Sequence, residues 1–212
     1  MKVHCEKRGM LLILDEAQTA LGRCGSMFAF EYEGVTPDIL TLSKTLGNGL
    51  PVSAVITSTK IEQFCNDRGF LFYTTHANDP LPAAVATKVI DIVIRDNLVD
   101  RSRMAGLALH DGLRRLKELY GCIGDVRGRG LMAGIEIVSN RETKEAAPEI
   151  GNALTIRMRK LSLSANISRL NSFGRVIRIA PPITITDEEL ALGLSILEEA
   201  LRTTPGTMPT KT

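Results

Sequence analysis

Two charged side chains stand where short apolar runs end, and each could do chemistry there. Lys44 directly follows residues 39–43 and precedes the turn-forming Gly47-Asn48-Gly49. An amine at the end of a buried strand is partly desolvated, which favours its neutral form and makes it a nucleophile toward carbonyl carbon. A lysine is more often a solvated surface charge, and position alone leaves both readings open. Asp15 ends the run at residues 10–14. A carboxylate there is costly unless it is paired. It could cap the following segment, or hold a cationic ligand nitrogen through a charge-assisted hydrogen bond worth roughly 1.5–3 kcal/mol.

The elements that must position these groups can be read from pattern. Residues 10–14, 39–43 and 52–57 are short apolar runs that suit strands buried on both faces of an α/β sheet, with polar residues emerging at their ends. Such strand ends are where these sheets bind ligands. Gly22-Arg23-Cys24-Gly25 through Gly34-Val35-Thr36-Pro37-Asp38 is turn-rich. Residues 79–120 read as helical with a break at Asp96-Asn97, and Pro80 and Pro82 suit a first turn. Residues 122–138 read as strand, turn, strand, residues 148–161 as a helix, and residues 175–180 as a strand. Thr186 and Glu189 form a capping box ahead of a stripe of Leu190, Leu194, Leu197 and Leu201. The change in pattern puts a domain boundary near residue 100. Residues 1–100 and 101–202 are expected as two domains, followed by a frayed tail over 203–212.

Composition narrows the function. The 212 residues are 44% hydrophobic and 24% charged, which excludes intrinsic disorder. A net charge of +2 and the absence of Trp argue against nucleic acid or an anionic membrane as partner. Cys5, Cys24, Cys65 and Cys122 contain no CxxC pair and read as free thiols of a reducing compartment. No apolar run reaches membrane-spanning length, and the stretch before Asp15 is too short for a signal peptide. A soluble intracellular protein is the expectation.

The run Leu11-Leu12-Ile13-Leu14-Asp15-Glu16 also fits the acidic strand of a P-loop nucleotide hydrolase. That chemistry needs a glycine-rich loop ending in Gly-Lys, and the chain has no Gly-Lys pair. A second family fits the downstream residues in order. Leu14-Asp15-Glu16-Ala17-Gln18-Thr19, Gly22-Arg23-Cys24-Gly25, residues 37–44 ending in Ser43-Lys44, Gly49-Leu50-Pro51, Tyr73-Thr74-Thr75-His76, residues 125–131 and Arg178-Ile179-Ala180-Pro181-Pro182 resemble the class III aminotransferases. These are pyridoxal 5'-phosphate (PLP) enzymes of fold type I. Residues 72–76, 79–84 and 177–182 are most similar to 2,2-dialkylglycine decarboxylase within that class.

The resemblance implies an α/β large domain with a mostly parallel sheet, its N-terminal strands missing here, and an α+β small domain. It implies that Lys44 bonds covalently to PLP and then moves protons on the substrate carbon, while Asp15 keeps the pyridine nitrogen protonated. Gln18 is expected near the cofactor's phenolic oxygen and Ala17 against the ring face. Thr75 is expected to hold the cofactor phosphate of a second subunit, making a homodimer part of the site. Arg178 is expected to hold a substrate carboxylate through a bidentate pair. Thr75, Ala77 and Asp79 are expected to help bind an alkali cation, K+ or Na+, although Asp79 equally suits a helix N-cap. His76 reads as a packed loop residue, and Arg127 and Arg129 as surface charges of a hairpin.

The implied reaction is decarboxylation of a dialkylglycine, which has no α-hydrogen to lose, followed by amino transfer to a keto acid such as pyruvate. An ordinary class III transaminase, of the ω-amino or acetylornithine type, and a non-catalytic remnant that folds only with a full-length partner are the alternatives. The chain has about half the family's length and begins near its middle, so the phosphate-binding glycine loop and the ring-stacking aromatic are expected to be absent and the fragment inactive alone. Ala20 stands where the family often has Gly. A cytoplasmic location is expected, or a mitochondrial one if a presequence belonged to the missing half.

Overall fold

The three apolar runs near the N-terminus form a three-stranded sheet in the computed structural model, which describes residues 1–167 and 176–207. The chain divides into two compact units, Met1–Val99 and Asp100–Thr212. The first contains α1 (Lys2–Glu6), β1 (Ile13–Asp15), β2 (Ile39–Leu42), β3 (Ala54–Thr57), α2 (Thr59–Asn66) and α3 (Pro80–Arg95), with short 3-10 turns at Ala29–Glu33 and Lys44–Gly47. β1 pairs parallel with β2, and β2 pairs antiparallel with β3.

Register assigns the faces of this sheet. Leu14, Leu40 and Ile56 align across the strands, and Asp15, Thr41 and Val55 align beside them. Leu40 and Leu42 are buried with Leu46 and with Ala86 of α3, and Leu14, Ala54, Val89 and Ile90 pack around them. The other face is open: Ile13 is 57% exposed and Val55 is 69% exposed. The expectation of strands buried on both faces is therefore corrected. α3 covers one side, and no described element covers the other.

Asp38 fixes the entry to β1, accepting from the Leu12 N–H at 2.7 Å and from Lys2 Nζ at 2.6 Å. Asp79 caps α3 by accepting from the Leu81 N–H at 3.2 Å, and Pro80 opens the first turn as its fixed φ allows. The predicted helix break is present at Asp96-Asn97, where Asn97 takes φ +49°, a conformation Asn tolerates better than most residues.

The second unit takes most of α4 (Leu98–Leu119), followed by β4 (Ile123–Arg129), β5 (Met132–Asn140), β6 (Glu145–Ala146), α5 (Pro148–Lys160), β7 (Asn166–Ile167), β8 (Val176–Ile179) and α6 (Asp187–Thr203). Its sheet runs β4-β5-β8-β7, antiparallel throughout, with β6 added to the end of β5. Leu109, Leu113 and Leu116 of α4 are buried against Ile123, Ile135, Ile137 and Ile177 of the sheet and against Leu154, Leu197 and Leu201 of the later helices. Each such side chain contributes roughly 1.5–3 kcal/mol of burial energy.

Two devices fix the ends of these helices. The capping box stands as predicted: the Glu189 N–H donates to Thr186 Oγ1 at 3.1 Å, and the Thr186 N–H donates to Glu189 Oε2 at 2.9 Å. Arg141 ties the end of α4 to the start of β4, donating to the Lys117 carbonyl, to Tyr120 O at 2.8 Å and to Ile123 O at 3.0 Å.

Where fraying is expected from Thr203, the chain to Thr207 packs instead. Thr204 and Thr207 are buried, and the Thr204 hydroxyl donates to Ala200 O at 2.7 Å. Residues 208–212, and Arg175 at the start of the predicted strand, lie outside the described residues.

Candidate active site

Asp15 ends β1, and Lys44 follows β2 by two residues, at the same end of the parallel pair. Parallel pairing brings both chain ends to one edge of the sheet, so two residues 29 positions apart in sequence become neighbours. Asp15 Oδ1 accepts from the Ala17 N–H at 3.0 Å and from the Thr41 hydroxyl at 3.2 Å. The Ala17 N–H, then the Thr41 hydroxyl, and then the positive charge of Lys44 hold the Asp15 carboxyl below the usual carboxylate range.

Both groups are exposed. The desolvation expected of Lys44, and the burial expected of Asp15, are absent because the sheet face that carries them is uncovered. Lys44 also has φ +49°, a left-handed backbone that costs a non-glycine residue roughly 1–2 kcal/mol. The strand must turn abruptly at this residue, and Leu46 and Gly47, buried immediately after it, fix the turn.

A cleft of about 960 Å³ opens beside Lys44, lined among others by Ser43, Pro51, Phe72, Ala77 and Asp79. Ala77 and Asp79 thus share a cleft with Lys44, while Thr75 is exposed on the same loop. His76 is corrected from a packed residue to an exposed one. Its side chain is 83% exposed, and Nδ1 lies 3.7 Å from Asp79 Oδ2. The loop before it leaves Phe70, Leu71, Phe72 and Tyr73 bare, so nothing buries His76 either. Ala17 and Gln18 are half-buried on the turn that follows Asp15.

Arg178 belongs to the second unit. It is exposed at the middle of β8, in register with Gly134 and Asn166. Arg127 Nη1 donates to Asp125 Oδ2 at 2.9 Å and to Glu136 Oε2 at 3.5 Å, on the β4–β5 hairpin. Among the described residues no group of three or more His, Cys, Asp or Glu could hold a metal ion, and no helix is long and apolar enough to cross a membrane. All four cysteines are free.

Two residues of the site lay outside the sequence reading. Thr41 is a polar residue inside the apolar run of β2, and that interruption was its only signal. Glu16 is buried, and the sequence marked it only as a member of the motif around Asp15, with no role of its own.

Comparison with known proteins bears on this arrangement. The family model for aminotransferase class-III matches residues 1–201. An uncharacterized aminotransferase of Schizosaccharomyces pombe is 51% identical over 201 residues, covering 95% of this chain and 45% of that protein. A leucine/methionine racemase of Thermococcus litoralis is 40% identical, covering 92% of this chain and 43% of that protein. An omega transaminase from Pseudomonas jessenii, solved in complex with PMP, superposes with a TM-score of 0.86 at 26% identity, covering 94% of this chain and 45% of that one. The chain therefore spans about half the length of the curated relatives it matches.

Proposed function

The chain belongs to the class III aminotransferases, and from that premise we propose that it supplies the lysine-bearing part of a PLP enzyme that moves amino groups between small amino acids and keto acids. One observation carries the reading. A lysine amine and a carboxylate held in its anionic form stand at the same end of a parallel strand pair, close enough for one charge to act on the other. This donor set fits a cofactor that presents an aldehyde carbon and a basic ring nitrogen.

PLP, when bound, supplies the electron sink into which a bond at the substrate's Cα breaks. The remaining work falls to the chain. Lys44 offers the amine that holds the cofactor and carries protons to and from the substrate carbon. Asp15, kept ionised by Ala17 and Thr41, keeps the ring nitrogen protonated. Ala17 and Gln18 sit on the turn beside it, suited to contact the ring and its phenolic oxygen. Arg178 provides a fork for a substrate carboxylate. Thr75 serves the phosphate of a second subunit, so the working unit is a homodimer. Nothing in the composition calls for nucleic acid or a membrane, and a cytoplasmic location suits the free thiols.

The finer reading, decarboxylation of a 2,2-dialkylglycine, rests on the motif resemblance around residues 72–84 and 177–182. The alkali cation it implies at Thr75, Ala77 and Asp79 would share the Asp79 carboxylate with the Leu81 N–H, which already donates to it at 3.2 Å. Plain amino exchange is the alternative, and it fits the family match equally well.

Incubation with PLP followed by borohydride reduction and peptide mapping tests the proposal. The label is expected on Lys44 and is expected to vanish in Lys44→Ala. Labelling spread evenly over surface lysines such as Lys60 and Lys88, unchanged in that variant, would overturn it. Offering 2-aminoisobutyrate with pyruvate separates the two reactions: CO2 release marks decarboxylation, and exchange from alanine without CO2 marks transamination.

A further inference from the structure

Glu16 is next to Asp15 in sequence and opposite to it in environment: it is 5% exposed, whereas Asp15 is open to solvent. Its carboxylate is fully engaged. Oε1 accepts from the Phe30 N–H at 2.8 Å, and Oε2 accepts from the Ala29 N–H at 2.7 Å and from the Thr19 hydroxyl at 3.1 Å. Its backbone is engaged as well, with the Glu16 N–H donating to Thr41 O at 3.0 Å and the Ala20 N–H donating to Glu16 O at 3.2 Å. A buried carboxylate with this many donors is fully satisfied, and loss of its acceptor capacity would leave buried N–H groups unpaired.

The consequence reaches Asp15. The main group that keeps the Asp15 carboxyl ionised is the Ala17 N–H. Ala17 lies on the turn whose far end, Thr19, is tied to the Glu16 side chain. The second such group is the Thr41 hydroxyl, and the carbonyl of Thr41 is held by the Glu16 N–H. Both groups that hydrogen-bond to Asp15 are therefore fastened to its neighbour, Ala17 through the Glu16 side chain and Thr41 through the Glu16 backbone.

We propose that Glu16 is a positioning residue: it clamps the segment from Thr19 to Phe30 so that the Ala17 N–H stays on the Asp15 carboxylate. The inference rests on the reading of Asp15 as the cofactor's partner, yet it can be tested without cofactor.

The experiment follows the Asp15 carboxyl by NMR titration in the whole chain, alongside hydrogen exchange of the Ala17 amide and a thermal melt for each variant. In Glu16→Gln and in Thr19→Val the Asp15 midpoint is expected to move upward toward the ordinary aspartate value, with Ala17 exchange roughly tenfold faster. Thr19→Ser, which restores the hydroxyl, is expected to return both to the parent values. Should Glu16→Gln fail to fold, the Thr19 pair decides alone. An Asp15 midpoint unmoved in folded Thr19→Val would overturn the proposal. Failure of the cofactor reading would show separately, as absent labelling of Lys44 with the Asp15 titration intact.

Discussion

Asp15 and Lys44 take their character from groups that are near in space and differ in kind: a backbone N–H two residues on, a hydroxyl on the next strand, and a left-handed turn. Cys122 shows the opposite effect of environment. It is 6% exposed, and burial pushes its thiol up to about 11. The raised value means that the folded chain favours the neutral thiol. That contribution to stability is whole below the unfolded thiol's value near 9 and is lost as pH rises through about 11. Thiol-reactive reagents at pH 8 are therefore expected to modify Cys5 and Cys65, which are partly exposed, well before Cys122. Mass spectrometry of a timed alkylation reads this directly, and early labelling of Cys122 in folded protein would contradict it. Lys44 and Asp15 were legible in the sequence because a strand end shows as an apolar run giving way to charge. The task of Glu16 was not, because its partners lie 13 and 14 residues away across a turn-rich segment without periodicity.

The helices show how local preference and long-range contact can disagree. Gly106 lies inside α4, where alanine would ordinarily add about 1 kcal/mol of helix stability. A Cβ at this position would stand 2.4 Å from the Gly130 Cα in the β4–β5 turn, a contact that backbone on both sides must move to relieve. Overpacking of this kind costs roughly 1–3 kcal/mol, which exceeds the propensity gain. Gly106→Ala is thus expected to lower the midpoint of a thermal or urea melt, whereas Gly→Ala changes in open helix positions raise it. The capping box of α6 and the break at Asn97 could be read directly from sequence because their causes are local. The antiparallel direction of β3 could not, since an apolar run looks the same whichever way it pairs.

The described residues leave much apolar surface in water. Phe70, Leu71, Phe72 and Tyr73 are between 67% and 85% exposed, and Ile13 and Val55 are bare on the sheet face that carries Asp15. Contiguous exposed apolar groups mark surfaces that another body covers. Leu71→Lys is expected to reduce light scattering at matched concentration while leaving the melting midpoint within about 0.5 kcal/mol of the parent, as for other surface changes. Equal scattering from both proteins would show that this loop does not drive association. The chain divides into two compact units at Val99 and Asp100; the bare sheet face was not legible in the sequence, because apolar strands read as buried whether or not a cover is present. The β1–β2–β3 sheet ends on strands with unpaired backbone edges among the described residues. By linkage, any ligand or chain that binds this surface in the folded form alone would raise the melting midpoint in proportion to the logarithm of its concentration.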